Sequence, residues 1–76
     1  MDEGRLKELL LAESEEFRRA YEEHRRLEEE LKKLVQKEYL TPEEEVKEKQ
    51  LKKRKLALKD QMYLMMEDYR KRILPR

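Results

Sequence analysis

The stretch that most limits what this chain can become is Tyr39-Leu40-Thr41-Pro42-Glu43-Glu44. Pro42 disfavours a helical backbone at Thr41 and suits the first position of a new helix. Thr41, with Glu44 three residues on, forms a capping box, in which hydroxyl and carboxylate each accept a backbone N–H of the other residue. One helix must therefore stop before this point and another must start at it. The flanking sequence reads as helix on both sides, so the segment predicts the tip of a hairpin with two arms folded back on each other.

The arms carry the pattern that such packing needs. From Glu15 to about Lys37, the residues Phe17, Ala20, His24, Leu27, Leu31 and Leu34 recur at alternating steps of three and four, an a/d heptad seam. On the second arm, Leu51, Lys55, Leu58, Met62, Met65 and Tyr69 do the same. If the chain folds back at Thr41, facing positions sum to about 82, and every a position meets a d position. Acid-before-base pairs one turn apart support both helices: Glu15/Arg19, Glu22/Arg26, Glu28/Lys32 and Glu29/Lys33 first, then Glu43/Lys47, Glu45/Lys49, Glu48/Lys52, Glu67/Lys71 and Asp68/Arg72. Pro75 marks the helix stop.

The expected fold class is an all-α antiparallel two-helix hairpin, coiled-coil-like, in one domain over residues 1–76. Arm one spans about 3–38, the turn 39–42 and arm two about 42–73. Residues 3–12 can form a short helix, with Leu6, Leu9 and Leu10 on one side. Ser14, followed by two glutamates, is a fit N-cap, so a break near 13–14 and a continuous first arm are both compatible with the sequence.

Charged residues make up 51% of the chain and apolar residues 37%, which suits exposed helices with a single seam. A hairpin with one seam buries little, so a second copy or a protein partner is expected. Residues 1–40 carry nine Lys/Arg against twelve Asp/Glu, and residues 41–76 carry eleven against seven, so the arms attract. No cysteine is present, which excludes disulfides, thiolate chemistry and Cys-based zinc sites. The longest apolar run of the N-terminal region, Leu9 to Ala12, is too short for a signal peptide or a membrane span. A soluble, cytoplasmic protein with no membrane partner is expected.

His24, the one histidine, lies on the seam. As a metal ligand it has Glu28 one turn away, but two ligands are too few for zinc. The Glu-x-x-His spacing of di-iron bundles fails because position 21 is Tyr. As a base it lacks a nucleophile, since Ser14 would lie about 15 Å along the helix. No Gly-rich loop exists, because Gly4 is the sole glycine, and the carboxylates are spread around solvent faces. No enzyme, cofactor, metal or small-molecule substrate is expected.

His24 and Lys55 fall in adjacent seam layers, and Lys55 is predicted to reach out to Glu28, or else to Glu23, as a structural polar layer. Leu56, Tyr63, Leu64 and Met66 lie off the seam and form the candidate face for an oligomer or partner; the alternative is that a folded-back N-terminal segment covers them. Lys49, Lys52, Lys53, Arg54, Arg70 and Lys71 form the candidate basic patch for nucleic acid. Against this, consecutive helical residues point in different directions and no aromatics interleave.

The stretch Phe17-x-x-x-Tyr21-x-Glu23-His24-x-x-Leu27-Glu28, with Leu51-Lys52-Lys53-x-Lys55-Leu56-x-Leu58-Lys59-Asp60-x-x-Tyr63, resembles the small bacterial YdcH-like proteins. Slighter similarity links the chain to the slyX-like coiled coils. The first resemblance covers roughly residues 5–68 and implies a short cytoplasmic helical hairpin of no established activity. The chain departs from that pattern at Glu15, where proline is common, and at Glu28, where aspartate is common.

Overall fold

A computed structural model describes residues 2–73 of the chain. Three α-helices follow in order: α1 (Glu3–Glu13), α2 (Glu15–Val35) and α3 (Pro42–Ile73). No strand occurs among the described residues, so the chain is all-α. Pro75 lies outside them.

Each helix starts on a local side-chain cap. Asp2 Oδ1 accepts from the Arg5 amide at 2.8 Å and opens α1. Ser14 Oγ accepts from the Phe17 amide at 3.1 Å and opens α2. Ser14 itself is extended, with φ −113 and ψ 113, while its own N–H still donates to Leu10 O at 2.8 Å. The break in the first arm is thus real and confined to one residue. At the turn, the Thr41 amide donates to Glu44 Oε1 at 3.0 Å and the Glu44 amide donates to Thr41 Oγ1 at 3.1 Å. The predicted capping box is formed.

The bulk of the burial lies between the helices. Ala20, Leu31 and Leu34 of α2 and Leu58 of α3 are buried along the seam, and Leu27, Leu51, Lys55 and Met62 are half-buried. At the end away from the turn, α1 folds against both longer helices. Leu6 and Leu10 join Phe17 and Met66 in a cluster, with Leu11, Met62, Met65 and Tyr69 packed around it. Phe17 and Leu6 are each 0% exposed there. Lys7 of α1 also stacks over the Tyr21 ring, 4.7 Å from its centroid.

Side-chain contacts between the arms occur at three heights. Lys37 pairs with Glu44 beside the turn, Glu23 with Arg54 midway, and Glu13 with Tyr69 at the far end. Residue numbers fall along the first arm as they rise along the second. Of the pairs expected one turn apart, Glu15/Arg19 (2.8 Å), Glu48/Lys52 (3.4 Å) and Asp68/Arg72 (2.6 Å) close. The others stay apart among the described residues, as weakly held solvent-exposed charges do.

Candidate interaction surface

The heptad positions sort the flanks of the α2–α3 seam into two unlike sides. On one side, the g positions Glu23 and Arg54 meet. Arg54 Nε and one terminal nitrogen donate to the two Glu23 carboxylate oxygens at 3.0 and 3.1 Å, a planar fork. The guanidinium holds the Glu23 carboxyl below its usual value, and the carboxylate raises Arg54. A lowered carboxyl contributes stability above its ordinary titration range, and that contribution fades as pH falls through the folded-state value. Arg54→Gln is therefore expected to destabilise the protein at neutral pH. Its gap from the wild type should shrink to nothing in strong acid, read from urea unfolding across a pH series. A gap independent of pH would mean that Arg54 acts by packing alone.

The opposite side is greasier. Its e positions are Tyr21, Glu28 and Val35 on α2 and Lys52, Lys59 and Met66 on α3. A cleft of about 390 Å³ opens there, lined by Leu31, Val35, Lys52, Lys55, Leu56 and Lys59. A second cleft, of about 420 Å³, lies further from the turn and includes Tyr21, His24, Met62 and Tyr63. The first helix sits at the end of this side, where Lys7 meets Tyr21 and Leu6 and Leu10 meet Met66.

Of the expected polar layer, His24 and Glu28 are brought together and Lys55 is not. His24 Nδ1 lies 2.9 Å from Glu28 Oε1, and the imidazole side chain keeps 12% of its exposure. Nε2 of the same ring is buried without a partner. Lys55 has no ion-pair partner among the described residues, because Glu28 faces His24 and Glu23 is taken by Arg54. The seam position of Lys55 stands, half-buried, but the pairing predicted for it does not form. Lys55→Met is then expected to raise stability by about 0.5–1.5 kcal/mol through added apolar burial. A fall in the urea midpoint would reveal that the ammonium is held after all.

The candidate apolar face divides in the same way. Leu56, Tyr63 and Leu64 are 61%, 57% and 67% exposed. Met66 is buried at 7% and leaves the set, because α1 folds back and covers it with Leu6 and Leu10. The folded-back segment thus accounts for one of the four residues and leaves three open.

The basic run is interrupted by acids. Lys52 pairs with Glu48, Arg54 with Glu23, and Arg70 with Glu67 at 3.4 Å. Lys49, Lys53 and Lys71 are exposed. No group of three His, Cys, Asp or Glu side chains gathers as metal ligands would among the described residues. No described helix is long and apolar enough to cross a membrane.

One contact escaped the sequence reading. Tyr69 donates its hydroxyl to Glu13 Oε2 at 2.5 Å, and the carboxylate there pushes the phenol pKa up. Extending the rule of facing positions by one step would have paired them. The His24–Glu28 contact was signalled by its spacing of one helical turn.

A small, highly charged all-α chain of three helices in mutual contact is the class that this geometry defines. A protein-family model described as "Protein of unknown function (DUF465)" matches residues 17–66, and the chain belongs to that family. YdcH is a member of it, as the resemblance implied. No curated protein and no solved structure matches the chain.

Proposed function

We propose that this protein is a non-enzymatic interaction module, an antiparallel helical hairpin that self-associates through the outer face of α3. The exposure of Leu56, Tyr63 and Leu64, each more than half open, carries this reading. These residues stand at i, i+7 and i+8, so they lie on one side of the helix, two turns apart. Large apolar side chains grouped in this way mark an interface more often than scattered ones do. The three cross-arm contacts support the hairpin, since Glu13–Tyr69 and Lys37–Glu44 sum to within one of the expected 82. Glu23–Arg54 reaches five residues off that value, a span of about 7.5 Å along the axis that a long arginine covers.

Light scattering across a concentration series tests the reading. Mass should rise above that of one chain in the high micromolar range, and Leu64→Glu should lower the mass reached at a given concentration with its helicity unchanged. A wild type that stays a monomer throughout removes self-association.

A further inference from the structure

The heptad of the seam does not stop at the break. Leu6, Leu10, Glu13 and Phe17 continue it, at steps of four, three and four, straight through Ser14. Yet α1 is not an extension of α2: it folds back, and both leucines are buried against Phe17 and Met66. One extended residue makes the difference, held by its hydroxyl on the Phe17 amide. The 11-residue α1 also lies wholly outside the span that matches the family, residues 17–66.

These observations describe an arm with two compatible positions. With Ser14 turned helical, α1 and α2 become one helix over 3–35, comparable in length to the 32-residue α3. Leu10 would then face Arg72, which is ion-paired with Asp68, in place of the apolar cluster, and Phe17 and Met66 would lose their cover. A second copy in the same state repairs both losses, because its α1 fits the vacated place and offers its own place in return. The contacts are the same in the monomer and in the exchanged pair; only the hinge differs. A connection of one residue is the kind that invites such exchange.

We infer that α1 is an exchangeable arm, and that two copies dimerise by seating each α1 on the Phe17–Met66 patch of the other. This rests on the reading that the chain self-associates, but it uses a different surface from the face of Leu56, Tyr63 and Leu64.

The chain has no cysteine, so a pair can be introduced as a unique reporter. Lys7→Cys with Tyr21→Cys places one thiol on each side of the α1–α2 contact, away from the buried cluster. A short bis-maleimide then links the two sites within one chain if α1 folds back on itself, and between chains if it is exchanged. Denaturing gels should show single-chain links at low concentration and a growing two-chain band as concentration rises. Adding Ser14→Ala removes the cap that holds the bend, and should shift the onset of the two-chain band about tenfold or more lower in concentration. Leu64→Glu should leave that band in place. Links confined to single chains at every concentration, with or without Ser14→Ala, overturn the exchange even if light scattering finds a dimer, which would then belong to the α3 face. If the cysteine pair does not fold, Ser14→Ala with Leu64→Glu decides the matter by light scattering: a dimer supports exchange and a monomer overturns it.

Discussion

Phe17→Ala is expected to cost about 3–5 kcal/mol of stability, the upper range for truncating a buried aromatic. Phe17 is fully covered, and it is the residue at which all three helices meet: Leu6 and Leu10 approach from α1 and Met66 from α3. Its loss leaves a cavity that neighbouring side chains cannot fill without moving α1. The bend at Ser14 retains its hydroxyl cap, but that cap alone does not hold an 11-residue helix in place. The variant should therefore lose α1 first and the rest at lower denaturant than the wild type. Far-UV circular dichroism against urea reads this as a lowered midpoint with a shallow early phase. Leu6→Ala, which leaves Phe17 in place, should show the early phase with a smaller shift of the main one. A Phe17→Ala midpoint within experimental scatter of the wild type would mean that the three-helix end is not the protein's anchor.

That end also shows where reading the sequence stopped short. The turn was legible because a capping box is a local object: Thr41 and Glu44 satisfy each other's backbone whatever the rest of the chain does. The burial of Ala20, Leu31, Leu34 and Leu58 was legible because the apolar period is long and regular. The break at Ser14 was only half legible. The cap signal and the unbroken heptad pull in opposite directions, and burial of Leu6 and Leu10 against α3, a contact over fifty residues distant in sequence, decides between them. Met66 was misplaced for the same reason. A two-helix hairpin has one buried seam, and Met66 lies beside it at an e position; a third helix laid on that side adds a second seam that takes Met66 in. Lys55 is half-buried, and the partner expected for it is absent among the described residues. Which acid a long base reaches depends on side-chain geometry across the arms, and the arginine one residue earlier, at the g position, closes on Glu23 with a fork that a lysine cannot make. The outer face of Leu56, Tyr63 and Leu64 could be named from its pattern alone, but what meets it is a matter of another molecule's surface.

A second substitution addresses the contact between α2 and α3 rather than the three-helix end. Leu58→Ala is expected to cost about 2–5 kcal/mol, while Leu56→Ala, two residues away, should change stability by no more than about 0.5 kcal/mol in dilute solution. Leu58 is 2% exposed and Leu56 is 61% exposed, so one helix presents an almost closed and an almost open leucine within a single turn. In the proposed register, Leu58 faces His24, whose Nε2 has no partner. The truncated site would then border a polar atom, and a water entering it would satisfy Nε2. This places the loss towards the lower end of the range and separates it from the dry cluster around Phe17. His24→Leu made alongside should then couple with Leu58→Ala in a double-mutant cycle, since both line one layer. Equal losses for Leu56→Ala and Leu58→Ala would show that α3 is turned the other way in solution. Additive effects of His24→Leu and Leu58→Ala would move the register off 82 while leaving the helices themselves intact.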